Sequence, residues 1–246
     1  MKIAVFGDSF ADYKPYTHLN YVKDCWIHQL EKNYEVSNFA ESGSGLMFSY
    51  NTFKNQNSNK FDKIIFLVSN PRRLLINSKF IDNNISKHVN PYKTDGHLNH
   101  IKKASESYIK YFENDDFLSH TWNLVLDDIR QTLGDRLLLL KVFSNSTHVY
   151  LKNAKNNFFD NDDNTALYSI SMYEDSYIDK NFKKSVRKSN TWEHFKVCHL
   201  TGTTHAFIYR KINNWLQGNE FSLEDYVQYI QKNLKLPLVE LDSYVN

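Results

Sequence analysis

Glycine is scarce in this chain, with seven residues in 246. A loop that wraps nucleotide phosphates needs several glycines close together, so that backbone amides can approach the anion. The segment Gly7 to Asp12, where such a loop would follow the first strand, holds one. A phosphate or nucleotide binder is therefore disfavoured. Cysteine is scarcer still: Cys25 and Cys198 are too few and too far apart for a disulfide framework or a metal-binding pair, and are expected to be reduced thiols. An excess of charge is also missing. Thirty basic against 28 acidic residues leave a formal net charge of +2, which implies no bulk attraction to nucleic acid. No apolar run approaches the roughly 20 residues of a membrane-spanning helix. Ile3 to Phe6 is too short for the core of a secretory leader, so the expectation is a cytoplasmic protein with no membrane partner.

Metal sites fare no better. Asp160-Asn161-Asp162-Asp163-Asn164 resembles a calcium loop only superficially, because Thr165 stands where the loop needs glycine and Ser171 where it needs glutamate. His97 and His100 lack both an intervening glutamate and an evident third ligand. No metal and no organic cofactor is expected.

What the chain does have is an ordinary folded composition, 41% hydrophobic and 24% charged, with an unusually high 15% aromatic content. Phenylalanine and tyrosine are therefore expected to supply much of the core. The length fits one α/β domain over residues 1–246, with surface excursions around 74–98 and 144–190 and no internal repeat. The second excursion reads as a lid or insertion over the cleft, and its basic run Lys180 to Lys188 as a solvated loop or an anion subsite.

Three short apolar runs read as strands buried on both faces, Lys2–Phe6, Lys63–Ser69 and Arg136–Phe143, while Tyr34–Phe39 alternates and reads as the second strand in chain order. Helical periodicity separates them. Leu19, Val22, Trp26 and Leu30 mark a helix over Thr17–Lys32 with Thr17 as its N-cap. A long helical tract runs from Asn99 to Leu133, broken at Asp115-Asp116 and stopped by Gly134. Ile208, Ile212, Trp215 and Leu216 mark another helix, capped by Thr201, and Ser222–Leu234 a last one, capped by Ser222. Strand and helix alternating in this way predict a mainly parallel sheet covered on both faces, a three-layer α/β/α sandwich.

Gly7-Asp8-Ser9-Phe10 ends the first strand, at the rim where open α/β sheets bind ligands. A serine there resembles the first block of the GDSL or SGNH hydrolase family, whose serine is the nucleophile. Three further blocks follow in order: Ser42-Gly43 after the second strand, Asn70 after the third, and Cys198-His199-Leu200-Thr201 before a helix. The resemblance implies a flavodoxin-like sheet and acyl-ester hydrolysis, with Ser9 as nucleophile and His199 as base. The oxyanion would be held by the amides of Ser9 and Gly43, with Gly45 as the alternative glycine, and by the Asn70 side chain. His205 does not fit the histidine's place, since it falls inside the helix.

There are two departures. The third block reads Val68-Ser69-Asn70-Pro71 in place of Gly-x-Asn-Asp, and the acidic position three residues before the histidine holds Lys196. Either Glu193, reaching from further back, or a main-chain carbonyl would orient the imidazole. In serine proteases, loss of the orienting carboxylate costs about ten-thousand-fold in turnover. The implied substrate is a small-molecule ester, with a short acyl group on a carbohydrate preferred. The loop style is also similar to a divergent branch carried by viruses and phages, which makes virion association a further expectation. The competing reading is a catalytically weak or inactive binding or structural module on the same fold.

Overall fold

The computed structural model describes residues 1–17, 20–69, 74–76, 79–81, 115–142, 166–186 and 196–234, together with positions 103 and 107. Its centre is a four-stranded parallel sheet. β1 (Lys2–Phe6) leads through α1 (Trp26–Glu31) to β2 (Glu35–Asn38), and then through α2 (Leu46–Lys54) to β3 (Lys63–Val68). The short strands β4 (Leu74–Ile76) and β5 (Lys79–Ile81) form a separate antiparallel hairpin. α3 (Asp115–Leu133) precedes β6 (Leu137–Lys141), and α4 (Leu167–Val186) follows it. A second small hairpin, β7 (Lys196–Val197) and β8 (Leu200–Thr201), runs straight into α5 (Gly202–Leu216), with α6 (Tyr226–Asn233) last.

The sheet order is β2-β1-β3-β6, each pair parallel. Chain direction across the sheet reverses between β1 and β3, the switch point at whose carboxyl ends doubly wound sheets bind ligands.

Alternation along the strands builds two cores. Ile3, Val5, Ile65, Leu67, Leu138 and Leu140 face one side and pack with Trp26, Ile27 and Leu30 of α1, Leu167 and Ile170 of α4, Phe207 and Ile208 of α5 and Ile230 of α6. Ala4, Phe6, Ile64, Phe66 and Val68 face the other and meet Leu46 and Phe53 of α2 and Leu118, Trp122, Leu126 and Ile129 of α3. Helices on both faces of a parallel sheet give the expected three-layer α/β/α sandwich. On the second face the aromatics pack ring on ring: Phe6 stacks with Phe39 at 5.0 Å between centroids and meets Phe53 edge-on at 5.7 Å.

Three expectations need correction. The helix read over Thr17–Lys32 is interrupted: a 3-10 turn over Asn20–Asp24 ends at Cys25, whose ψ of 136° is extended, and α1 starts only at Trp26. Helical spacing of apolar residues survives such a break, so periodicity could not reveal it. The last helix starts at Tyr226, with Asp225 at its N-cap. The Ser222 hydroxyl accepts instead from the Glu224 amide in the turn before it. Finally, residues 167–186 of the expected 144–190 surface excursion are not a lid. They are helix α4, whose Leu167, Ile170, Ser171, Glu174 and Ile178 are buried.

Gly134, with φ of +52°, ends α3 as expected. The first part of the long tract before Asp115 lies outside the described residues except for positions 103 and 107, which are helical.

Candidate active site

The chain leaves β1 through Gly7, and a tight helical turn follows in which the Ala11 and Asp12 amides both donate to the Asp8 carbonyl at 3.0 and 3.1 Å. The buried Asp8 carboxylate accepts from the Phe10 amide at 3.1 Å. Ser9, between them, is left half-buried at the carboxyl end of the sheet. Gly7 is required by close approach: a Cβ there would lie 2.6 Å from Leu67 Cβ on β3.

His199 reaches the same place from the other end of the chain. The β7–β8 hairpin pairs Val197 with Leu200, so Cys198 and His199 form its two-residue loop. Both have positive φ, +50° and +67°. Two-residue hairpin loops with both φ values positive match the twist of the flanking strands, and Asn-Gly is their usual sequence. Non-glycine residues held in this conformation store strain and persist only where the surroundings over-determine them. Here the turn points the imidazole at Ser9: His199 Nε2 and Ser9 Oγ are 2.8 Å apart, across 190 positions of sequence. Phe10 packs against the imidazole, with ring centroids 4.8 Å apart.

The N-terminus of α1 braces the two halves. Trp26 Nε1 donates to the Phe10 carbonyl at 3.1 Å, next to Ser9. The Trp26 amide donates to Nδ1 of His205 at 3.3 Å, and His205 Nε2 donates to the Val197 carbonyl at 2.8 Å. These two bonds fix the His205 tautomer with its proton on Nε2, and burial lowers its pKa from 6.5 to about 4, so the ring is neutral. His205 is thus a buried member of α5, as expected from its place inside a helix. Cys25, the N-cap of α1, lies with its sulfur 4.0 Å from that of Cys198; both are free and buried. The hydrogen bond shared with Cys25, together with burial, pushes the Cys198 thiol up.

A third segment, the loop after β2, is tied to the Ser9 turn. The Glu41 amide and the Ser44 hydroxyl both donate to the Gly7 carbonyl, at 3.1 and 2.9 Å. The buried Asp12 carboxylate accepts from the Ser42 amide at 2.8 Å and from the Lys14 amide at 3.2 Å. Asn38 donates its amide nitrogen to the Ala11 carbonyl at 2.9 Å. Residues 41–44 close a turn through the Ser44 amide and the Glu41 carbonyl, with Gly43 third at φ +80°, where a side chain would be strained. Gly45 is instead the buried N-cap of α2. Among the described residues neither the Ser9 nor the Gly43 amide has an acceptor, which leaves both N–H groups open to a ligand.

Of the residues singled out in the sequence, Ser9 and His199 meet, and the Gly43 loop is bonded to the Ser9 turn. Asn70 and Glu193 lie outside the described residues, as do His97, His100 and the Asp160–Asn164 segment. Lys196, three positions before His199, is the first residue of β7. Among the described residues no group of three His, Cys, Asp or Glu side chains could hold a metal ion, and no helix is long and apolar enough to cross a membrane.

Sequence reasoning missed α4's contribution. Ser171 Oγ donates to the His199 carbonyl at 2.8 Å, and the fully buried Glu174 accepts from the Thr201 amide at 3.2 Å. A serine and a glutamate three apart on a helix are too common a pattern to have signalled this.

No family model matches the sequence, and no curated protein does. Among solved structures the chain is similar to a protein assigned to the G-D-S-L lipolytic family of Desulfitobacterium hafniense DCB-2, at 13% identity over 73% of this chain and 72% of that one, with a TM-score of 0.33. It is also similar to the psychrotrophic esterase EstA from Pseudoalteromonas sp., at 11% identity over 88% and 98% of the two chains, with a TM-score of 0.43. A third similar structure is the lipase/acylhydrolase from Enterococcus faecalis, at 12% identity over 88% and 95%, with a TM-score of 0.39.

Proposed function

We propose that this chain is a serine ester hydrolase of the GDSL/SGNH kind, with Ser9 as nucleophile and His199 as general base. The observation that carries the reading is the 2.8 Å approach of Ser9 Oγ to His199 Nε2. That is hydrogen-bonding reach between a hydroxyl and a base, on the ligand-binding rim of a doubly wound sheet. With the imidazole proton on Nδ1, the Nε2 lone pair takes the Ser9 proton as Oγ attacks the ester carbonyl. The open amides of Ser9 and Gly43, joined by the Asn70 side chain, receive the tetrahedral oxyanion, a contribution of about 3–4 kcal/mol for a single donor in a preorganised site. The imidazolium then returns its proton to the departing alcohol. Water, deprotonated by the same histidine, releases the acyl group from Ser9. Glu193 or a main-chain carbonyl keeps the ring in the required tautomer.

The preferred substrate is a short acyl ester of a carbohydrate. It is a small molecule, and the chemistry needs neither metal nor organic cofactor.

The test is labelling by an alkyl fluorophosphonate, in which Ser9 Oγ bonds to phosphorus and fluoride leaves. Covalent modification of the wild-type chain, located at Ser9 by peptide mass spectrometry and lost in Ser9→Ala and His199→Ala, is the expected result. Hydrolysis of short-chain nitrophenyl esters should be lost in the same variants. One observation favours the competing reading of a site kept for binding alone: a lysine, Lys196, stands where the family has its acid. A folded wild-type chain that takes up no probe would establish that alternative and overturn the hydrolase.

A further inference from the structure

The hairpin that carries His199 is only two residues long on each side, and its loop is in a conformation that costs free energy for any residue but glycine. Something outside the hairpin must hold it. Helix α4 supplies that hold from two side chains one turn apart, which therefore lie on one face. Ser171 fixes the carbonyl of His199, and Glu174 fixes the amide of Thr201, two residues on. The histidine's backbone is gripped on its carboxyl side by both.

Glu174 does more than accept one amide. The hydroxyls of Thr201 and Thr204 both hydrogen-bond to its Oε1. A carboxylate this deeply buried is tolerated only when hydrogen bonds replace its lost hydration. Two hydroxyls and a backbone N–H do so here, at the positive end of the α5 dipole. In its ionised form the carboxylate accepts only, and both threonine hydroxyls then donate to it. Thr204 Oγ1 also shares a hydrogen bond with the Tyr226 hydroxyl, 3.0 Å away. Thr201 Oγ1 in turn caps α5 by accepting from the Thr204 amide at 3.5 Å. One buried carboxylate thus ties α4, β8, α5 and α6 together directly behind the turn that aims the imidazole.

We propose that Glu174 is a positioning residue for His199, holding the hairpin in the left-handed geometry that brings Nε2 to the Ser9 hydroxyl. The inference rests on reading Ser9 and His199 as the reacting pair. Glu174 does not touch the reacting atoms and acts only through the backbone of residues 199–201. Ser171 shares the task.

The experiment compares Glu174→Gln, which keeps size but puts an NH2 donor in place of one carboxyl oxygen, with a control on the opposite face of the sheet. The control is Ile129→Val or Ile129→Ala, whichever matches the loss in Tm. Two readouts are taken on each folded protein: the second-order rate of fluorophosphonate labelling at Ser9, and the imidazole 15N and 1H resonances of His199, assigned with His199→Gln. Misplacement of a reacting group by about 1 Å can cost on the order of a hundredfold, so labelling in Glu174→Gln should fall at least tenfold below the matched control. The His199 resonances should move in Glu174→Gln and not in the control. Equal labelling and unmoved resonances in the two variants would overturn the proposal.

If the wild-type chain takes no label, the hydrolase reading fails by itself. The His199 resonances alone then decide whether Glu174 sets the ring's position. Should Glu174→Gln not fold, Ser171→Ala and Thr204→Val each remove one bond of the same grip, and the same two outcomes apply to them.

Discussion

One contribution to acid destabilisation of this fold should come from His205. The ring is 1% exposed, bonded at both nitrogens, and its pKa is lowered by burial from 6.5 to about 4. Between those values the unfolded chain binds a proton that the native chain does not. The contribution of neutral His205 is therefore complete above about pH 7, declines as pH falls below 6.5, and is lost in full below about pH 4. At about 1.4 kcal/mol per pH unit the whole effect is about 3 kcal/mol. Linkage places about 2 kcal/mol of it between pH 7 and pH 5. For a chain of this size that corresponds to a Tm drop of roughly 4–8 °C.

Carboxylates elsewhere titrate too, so the assay is a difference. Urea unfolding is followed at pH 7 and pH 5 for wild type and for His205→Gln, whose amide can still accept from Trp26 and donate to Val197 but does not titrate. The variant should lose about 2 kcal/mol less than wild type over that interval. Equal losses in the two proteins would refute the assignment of a neutral, proton-excluding His205.

Two substitutions and one labelling experiment probe the site's framework. Gly7→Ala places a Cβ 2.6 Å from Leu67 Cβ, a clash between two backbone-fixed atoms that no rotamer relieves; it should cost about 1–3 kcal/mol and slow Ser9 labelling, read by thermal melts and probe kinetics. Asp12→Ala strips the acceptor from the Ser42 and Lys14 amides. It should destabilise by about 1–3 kcal/mol and reduce ester hydrolysis through kcat more than KM, measured by steady-state kinetics. Cys25 and Cys198, both buried, should resist iodoacetamide in the native chain and react promptly in urea, as mass spectrometry of intact protein would show.

The sheet was legible in the sequence because buried parallel strands are continuous apolar runs, and Lys2–Phe6 and Lys63–Val68 stand out as such against the polar segments around them. Ser9 was legible because it follows one of those runs at once, and His199 because a threonine cap and an apolar helical stripe come directly after it. The hairpin that presents His199 was not legible. Its strands are two residues each, and Cys-His occupies a loop for which Asn-Gly is the usual signal, so the turn is imposed by its surroundings. Those surroundings are set by tertiary contacts of α1 and α4 over 27 to 179 positions of sequence separation. Local pattern carries no trace of that. The break at Cys25 was hidden for a related reason, since apolar spacing records which side of a segment is buried and not whether its hydrogen-bond ladder is unbroken.

The two faces of the sheet are unequal partners. Ser9 is braced, and His199 held, from the layer made by α1, α4 and α5, whereas Leu118, Trp122, Leu126 and Ile129 of α3 pack only on the opposite side. A saturation library read for both cellular abundance and catalytic output should therefore divide along the plane of the strands. Changes in the α3 layer would lower the two scores together, in proportion to the volume disturbed. Loss of the Ser171 hydroxyl, which holds the His199 carbonyl and fills little of the core, would leave abundant protein with little output, so the grip on the hairpin is where drift would silence the chain without unfolding it.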